Sequence, residues 1–158
     1  PYYSNSTASF QLRLLINTTT FEHASILEPK NGIHYVAIYR PPPSVENGFT
    51  VPGFFEEFEI FLQKVSLLPG KLIMLGDFKY HVNKPEVSTF NTLLSSFSLN
   101  QHVWRPTHKK ENTLDLIITR FEDNLIKYIN MGFRYGSDHH NMISFTTQLR
   151  KPPPLHYE

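Results

Sequence analysis

Cysteine is missing from this sequence altogether. Disulfide bonds, catalysis by a thiolate and zinc sites built on cysteine are therefore excluded. Any metal site must use oxygen and imidazole ligands, which aspartate, glutamate and histidine supply. The absence of cysteine also suits a reducing compartment, so we expect an intracellular protein, nuclear or cytoplasmic.

A charge excess of one sign and long apolar runs are also lacking. The 15 Lys and Arg residues against 14 Asp and Glu give a net charge of +1, so the chain as a whole has no field that attracts a polyanion. Contact with nucleic acid must then come from the local placement of basic side chains. No apolar run approaches the roughly 20 residues of a membrane span, and we expect no membrane partner.

The composition is that of one folded domain. A chain of 158 residues that is 40% hydrophobic and 18% charged has enough apolar material for a single core, and a chain of this size buries about 70% of the surface that its unfolded form exposes. We assign residues 1–150 to this domain and the proline-rich residues 151–158 to a linker or tail. Because residue 1 is proline rather than methionine, we expect the amino end to be a cut end.

The first half of the chain changes from strand to helix patterning. Three antiparallel strands are predicted at residues 10–16, 21–28 and 33–40, with a tight turn at Asn31-Gly32. The three prolines that follow end this sheet, because proline cannot donate to a strand ladder. Apolar residues then recur at helical spacing from Phe54 to Val65, and Pro69-Gly70 ends that helix.

The second half alternates strands with one more helix. The segment KLIML, residues 71–75, has no polar alternation, which is typical of a central strand covered on both faces. A helix is predicted at residues 87–97, and strands are predicted at residues 113–119, near 125–129 and at 142–149. This order predicts a layered α/β sandwich, in which helices cover a mixed sheet.

Acidic residues lie at three places on the predicted strands. Asp77 follows KLIML, and Asp115 lies inside the strand TLDLIIT. Asp138 comes immediately before His139, ahead of the last strand. Each has a structural alternative: a turn residue at Asp77, a solvent-facing residue on an edge strand at Asp115, and a polar loop at 138–139. Because these strands are expected to be neighbours, we favour convergence at one site.

Such a set of residues suits one kind of chemistry. An aspartate beside an imidazole orients it and stabilises its protonated form. Further carboxylates are hard oxygen ligands for Mg²⁺. The combination favours hydrolysis of a phosphodiester, in which cations neutralise charge on the phosphoryl oxygens while a base takes a proton from water.

The ordered motifs also resemble a known family. The segments YRPPPS, GKLIMLGDFKYHVN, LNQHVWRPTH, NTLDLIITR and GSDHH follow one another as in the endonuclease/exonuclease/phosphatase superfamily. They are most similar to the apurinic-like endonuclease domain of reverse-transcriptase polyproteins from non-LTR (LINE-type) retrotransposons. The resemblance runs from about Phe21 to the last strand. It implies a DNase I-like fold, a four-layer αββα sandwich, that nicks DNA with Mg²⁺.

The resemblance implies roles for individual residues, carried over by motif match. Asp77 would help to activate the attacking water, Asp115 would pair with His139, and Asp138 would lie at the metal. Contacts with the phosphate backbone of DNA are implied for Tyr39, Arg40 and Lys79.

Two departures from the family pattern predict a loss of activity. Lys79 stands where the pattern has an asparagine, so a group that donates and accepts becomes a cation that only donates. Its ammonium could pair with Asp77 and crowd out a metal. The family's amino-terminal segment, with its metal-binding glutamate, has no counterpart, and none of Glu22, Glu28 or Glu46 has the expected setting at a strand end. We therefore expect the sandwich to be incomplete on its amino-terminal side.

These observations predict a fragment of a retrotransposon-derived, Mg²⁺-dependent DNA endonuclease that is inactive or strongly impaired, with weak Mg²⁺ binding. Three alternatives stay open. One is an active endonuclease whose remaining residues lie outside this sequence, and another is a relic without a selected role. The third is a non-catalytic module that binds nucleic acid or protein through Tyr39, Arg40, Arg105, His108, Lys109 and Lys110. An unpaired sheet edge, if strands are missing, predicts a partner or self-association.

Overall fold

The structure of the chain is a computed structural model, and it describes residues 10–11, 14, 16–79, 86–108, 112–134 and 140–149. The strands are β1 (Phe10–Gln11), β2 (Glu22–Glu28), β3 (Ile33–Tyr39), β4 (Lys71–Asp77), β5 (Leu99–Gln101), β6 (Asp115–Arg120), β7 (Ile126–Arg134) and β8 (Asn141–Thr147). The helices are α1 (Val51–Val65) and α2 (Glu86–Ser96), and a short 3₁₀ turn spans Phe121–Asp123. The predicted helix and strand types are confirmed for every one of these elements that the sequence suggested.

Six strands form the main sheet, in the order β1-β2-β3-β4-β6-β5. β3 and β4 pair in parallel because α1 connects them and brings the chain back to the same end. The remaining neighbours in this sheet pair antiparallel. As a result β3 and β4 end, and β2 and β6 begin, at the same edge of the sheet, which we call the site edge.

The helix α1 begins three residues earlier than its apolar pattern predicts. Thr50 caps it, because the Thr50 side chain accepts a hydrogen bond from the backbone N–H of Gly53. Pro52 fits the first turn, where the missing N–H costs nothing. At its other end, the guanidinium of Arg120 donates to the backbone carbonyls of Ser66, Leu68 and Gly70. These carbonyls follow the last helical turn and are satisfied without further helix.

Aromatic rings fill the space between the helices and the main sheet. Phe21 meets the rings of Phe54, Phe58 and Phe61 edge to face, at centroid distances of 5.8, 5.8 and 5.2 Å. The ring of Phe90 from α2 stacks on Phe58 at 5.8 Å. Such pairs add about 0.5–1.5 kcal/mol each beyond the area they bury. The regular spacing of phenylalanine in α1 thus anchors both helices on one face of the sheet.

A second sheet of two strands, β7 and β8, packs on the opposite face of the main sheet. Ile143 and Phe145 of β8 line a shared cavity with Leu75 and Ile117, which point to that face. Layers of helices, main sheet and second sheet therefore follow one another in the described part of the chain. The predicted α/β class is confirmed, and a further helical layer is not found among the described residues.

The largest differences from the predicted strand boundaries lie at β1, β5 and β7. β5 was not predicted, because three residues give too short a pattern to recognise. β7 extends to Arg134, five residues beyond its predicted end, since pairing with β8 carries it through Asn130 and Gly132, which have low strand propensity. Only two residues of the predicted strand at 10–16 are described as β1, and residues 151–158 lie outside the described residues.

None of the helices that the structure describes combines the length and the apolarity that a membrane span requires.

Glu57 on α1 fastens the segment before β2. Its carboxylate accepts hydrogen bonds from the backbone N–H groups and the hydroxyls of Thr19 and Thr20, at 2.5–3.1 Å. Burial raises the pKa of Glu57, but the hydrogen bonds from Thr20 and Thr19 outweigh burial and leave the pKa below its ordinary value. The ionised form is therefore favoured by folding.

We expect Glu57→Gln to lower the free energy of unfolding by about 1 kcal/mol near neutral pH, because an amide nitrogen cannot accept these bonds. The lowered pKa means that the folded state binds fewer protons at this group. Its contribution is present above the unfolded pKa and is lost as the pH falls below it. Urea unfolding at neutral pH and at about pH 4 should show the difference between variant and parent shrinking in acid. The exposed neighbour is the control: Glu56→Gln should change little, and an equal loss there would contradict the assignment.

Candidate active site

Polar side chains meet in one row at the site edge. Tyr39 is the register partner of Asp77, and Asp77 is the register partner of Asp115. Residues in one row of adjacent strands point to the same face, so these side chains lie on the side of the second sheet. Asp115 begins β6 rather than lying within it as predicted, which places its carboxylate at the site edge and half-buried.

Gly76, directly before Asp77, allows β4 to lie close to β3. Its φ of 143° is a conformation that L side chains rarely adopt, and a Cβ there would lie 1.9 Å from the carbonyl oxygen of Ile38. Beyond it the ladder continues, with Arg40 N–H donating to Asp77 O and Phe78 N–H donating to Leu114 O, both at 2.8 Å. The backbone of Asp77 is thus held between its two neighbouring strands.

The carboxylate of Asp77 is occupied by Lys79. The ammonium Nζ lies 2.5 Å from Asp77 Oδ2, and the backbone N–H of Lys79 donates to Asp77 Oδ1 at 3.1 Å. Lys79 also has a φ of 50°, in the left-handed region that asparagine tolerates better than lysine. The sequence analysis suggested that Lys79 could pair with Asp77, and the geometry supports this pairing.

The carboxylate of Asp115 pairs with a histidine from the second sheet. His140 Nδ1 lies 2.9 Å from Asp115 Oδ2, and both side chains are partly buried. The ring of His108 meets the ring of His140 edge to face at 5.2 Å, where the two residues form an isolated β-bridge. An aspartate and an imidazole in this arrangement can hold a proton on Nδ1 and direct Nε2 outward for proton exchange.

This pairing differs from the predicted one. The family motif implies His139 as the partner of Asp115, whereas the structure brings His140 to that carboxylate. His139 and Asp138 lie outside the described residues, so their predicted roles stay predictions. The sequence offers two successive histidines before β8, and no local signal distinguishes them.

Arg40 does not belong to this row. Its side chain is 6% exposed and lies on the helix-facing side, with the guanidinium 3.9 Å from the centre of the Phe54 ring and 3.4 Å from the carbonyl oxygen of Phe78. Burial lowers the pKa of Arg40, while Glu86 acts in the opposite direction. This position does not favour the predicted phosphate contact, because the guanidinium is used inside the core. Tyr39, in contrast, is 46% exposed and available at the site edge.

Glu22 has a setting that the sequence did not suggest. It begins β2 and is the register partner of Tyr39, so it continues the row on the same face of the sheet. The expectation that Glu22 lacks a strand-end position was therefore wrong. Two strand spacings, roughly 10 Å, separate the backbone of Glu22 from that of Asp77, and the Glu22 side chain is exposed.

The fit of the site to Mg²⁺ is poor. Asp77, Asp115 and His140 each offer one atom within 4.8 Å of the others. Mg²⁺ prefers about six oxygen ligands in octahedral geometry, and an imidazole suits it less than a carboxylate. Both carboxylates already hold partners, a lysine ammonium and an imidazole. The described residues therefore do not form a ready Mg²⁺ site.

Two solved structures are similar to this chain, and one of them shares its fold. The endonuclease domain of TRAS1, a telomere-specific non-LTR retrotransposon, matches with a TM-score of 0.71 and 17% sequence identity, covering 94% of this chain and 70% of that chain. The catalytic domain of human Nocturnin, with a bound sulfate anion, matches with a TM-score of 0.49 and 18% identity, covering 89% of this chain and 59% of that chain. No family model and no curated protein matches the sequence. The TRAS1 match confirms the predicted DNase I-like fold, and at 17% identity the fold is what the two chains share.

Thr107 positions the Asp115 and His140 pair. Its fully buried hydroxyl accepts hydrogen bonds from the backbone N–H groups of Leu114 and Asp115, at 2.9 and 3.1 Å. Its carbonyl accepts from the N–H of Asn141, next to His140, at 2.7 Å. One residue thus joins the strand that carries the aspartate to the strand that carries the histidine. Nothing in the sequence distinguishes it beyond its being a threonine in a polar turn.

We expect Thr107→Val to destabilise the protein by about 2 kcal/mol or more, because it leaves two buried N–H donors without an acceptor. Thr107→Ser keeps the oxygen and should lose only about 1 kcal/mol with the methyl group. Urea unfolding of the two variants measures the difference. Equal losses would show that the hydroxyl does not hold Asp115.

Proposed function

We propose that this chain, which has the fold of a retrotransposon endonuclease domain, belongs to the endonuclease/exonuclease/phosphatase superfamily and carries a DNA-nicking site that is strongly impaired. The observation that carries this proposal is the meeting of Asp77, Asp115 and His140 at the site edge, with Lys79 bound to Asp77. DNA is the substrate that the name of the telomere-specific TRAS1 element suggests.

The pair of Asp115 and His140 supports a role in proton transfer during phosphodiester cleavage. Asp115 orients the imidazole of His140 through Nδ1, which leaves Nε2 to exchange a proton with a phosphate oxygen or a water. Thr107 fixes the strand that supplies the carboxylate. These interactions are the part of the site that needs no ion.

The ion pair with Lys79 hinders the role proposed for Asp77. Activation of water by Asp77 requires a carboxylate that can accept a proton or hold a cation. The Lys79 ammonium at 2.5 Å competes for both uses. Misplacing a general acid or base costs about 10²- to 10⁴-fold in rate, and loss of a catalytic metal removes several kcal/mol of charge stabilisation. Because unaided phosphodiester hydrolysis is very slow, little measurable nicking should remain.

A second candidate function is the binding of nucleic acid without cleavage, which Lys79 and Tyr39 favour. Lys79 and the exposed Tyr39 lie at the site edge, where a cation and a hydroxyl can contact a phosphate group without cleaving it. A chain that has lost catalysis in this way could keep the binding of nucleic acid. The two functions differ in whether phosphodiester bonds break.

We expect the protein to nick supercoiled plasmid only at a trace rate in Mg²⁺, even at high protein concentration and long incubation. His140→Ala should remove that trace, because it breaks the pair with Asp115. His139→Ala is the matched control and should leave it unchanged. Loss of nicking in the His139 variant alone would assign the catalytic histidine to the family position, and rapid nicking by the parent would refute the impairment.

We expect Lys79→Asn to release Asp77 without restoring nicking, because the described oxygen ligands remain too few for Mg²⁺. The variant should nevertheless be more stable than Lys79→Ala by about 1 kcal/mol, since asparagine tolerates the left-handed conformation. Thermal unfolding and the plasmid assay measure the two effects. Recovery of nicking by Lys79→Asn alone would show that the blocked carboxylate is the only defect.

A further inference from the structure

A shallow groove lies between the segment that follows β5 and the outer strand β7. Its volume is about 280 Å³. The lining residues are His102, Val103, Trp104, Arg105, Ile129, Asn130 and Met131. We call it the tryptophan groove, because Trp104 is the single tryptophan of the chain. None of the residues that form the Asp77 and Asp115 site lines it.

Trp104 is exposed while the backbone before it is held firmly. Its side chain is 73% exposed, although tryptophan is among the residues with the most apolar surface to hide. Val103, directly before it, is 1% exposed and is clamped by the buried amide of Gln101, which donates to Val103 O at 3.0 Å and accepts from Val103 N–H at 2.8 Å. The outward direction of Trp104 is therefore fixed by its backbone.

Among the described residues, no acidic side chain lines the groove, and one cation does. Arg105 is exposed, and among the residues that the structure describes no carboxylate forms an ion pair with it. Asn130 adds an exposed amide that can donate and accept. His102 donates or accepts at Thr119 Oγ1, 2.8 Å away, and burial lowers its pKa, so it adds no charge near neutral pH. A ligand with an anionic part and a flat apolar part fits this combination.

A second exposed aromatic extends the surface along β7. Tyr128 is 64% exposed and pairs with Thr146, two positions from the Asn130 and Ser144 pair. Residues two apart on a strand point to the same face, so Tyr128 lies about 7 Å from Asn130 along the outer side. Lys127 Nζ lies 5.1 Å from the centre of the Tyr128 ring. Aromatic rings at intervals with cations beside them are typical of surfaces that bind single strands.

The groove is connected to the site edge by the chain itself. Thr107, whose hydroxyl accepts the N–H of Asp115, comes three positions after Trp104. Three residues span at most about 10 Å. A strand whose phosphate lies at Asp115 and His140 can therefore place its next nucleotides on the groove.

We propose that the tryptophan groove binds single-stranded DNA, with an unpaired base stacked on Trp104 and a phosphate held by Arg105. The choice of DNA rests on the proposed function of the neighbouring site. The choice of single strands rests on geometry, because a base within a duplex has both faces covered and cannot stack on an isolated ring. The groove also holds about one base rather than a helix, since it is small and shallow.

The single tryptophan makes the contact directly measurable. Oligodeoxythymidylate of about 12 nucleotides, added in EDTA so that nothing is cleaved, should quench the intrinsic tryptophan fluorescence. A duplex of the same length, an oligouridylate and a base-free polyphosphate are the comparison ligands. Quenching by the DNA single strand well above the other three supports the proposal. Equal quenching by polyphosphate would show charge attraction alone, and stronger quenching by RNA would replace DNA as the ligand.

Variants test the same contact by the fluorescence anisotropy of a labelled oligodeoxythymidylate. Trp104→Leu should weaken binding about 5- to 150-fold, the range that corresponds to the stacking of one base. Arg105→Gln should weaken binding and lower its salt dependence. Phe121, 77% exposed at the opposite end of β6, is the matched control, and Phe121→Leu should leave the affinity unchanged.

The outcomes separate this inference from the proposed nicking function. Binding that depends on Trp104 in a protein that nicks plasmid rapidly supports the groove and overturns only the proposed impairment. Nicking without any effect of Trp104→Leu on DNA binding overturns the groove. If the far-ultraviolet circular dichroism of Trp104→Leu differs from that of the parent, the DNA affinity of Arg105→Gln, which should keep the fold, decides instead.

Discussion

The pairing of β4 with β6 is the constraint on which the candidate site depends. It sets Asp77 directly beside Asp115, and the ladder continues past both residues through Arg40, Phe78 and Leu114. On the other side of β4, Gly76 permits the close approach of β3, because a Cβ there would strike the carbonyl oxygen of Ile38. A shift of β6 by one residue against β4 would turn Asp115 to the helix-facing core and separate it from Asp77. The position of the site is thus a consequence of strand register, and its chemistry follows from what each carboxylate then meets.

Two carboxylates in adjacent positions repel each other unless cations or hydrogen-bond donors balance them. In this chain Lys79 balances Asp77, and His140 balances Asp115. The arrangement is satisfied from within the protein, so the fold does not depend on an ion at this point. The same arrangement engages both carboxylate oxygens of Asp77 and one of Asp115, which a divalent cation would need as ligands. The stability of this site without an ion and the proposed impairment of catalysis therefore have one cause.

Much of the fold could be predicted from the sequence, because its signals are local and strong. The phenylalanine spacing of α1, the apolar run of β4 and the Asn31-Gly32 turn all led to the observed elements. The acidic positions Asp77 and Asp115 were also recognised, since a charge at the end of an apolar run stands out.

The parts that could not be predicted depend on tertiary contacts. β5 is too short to leave a pattern, and the role of Thr107 exists only because a turn folds back on β6. The choice between two successive histidines depends on how β8 meets β6. Arg40 reads as a surface cation beside prolines, yet the ring of Phe54 holds it in the core. In each case the sequence supplies the residue type, while long-range packing decides which way it faces.

The central claim is that Lys79 and His140 occupy the carboxylates that a divalent ion would require. Thermal unfolding of the protein with increasing Mg²⁺ tests this most directly, because a ligand that binds the folded state raises the unfolding temperature. The account predicts a negligible shift up to about 10 mM Mg²⁺. Stabilisation of about 2.7 kcal/mol at that concentration, which corresponds to a dissociation constant near 0.1 mM, would contradict it.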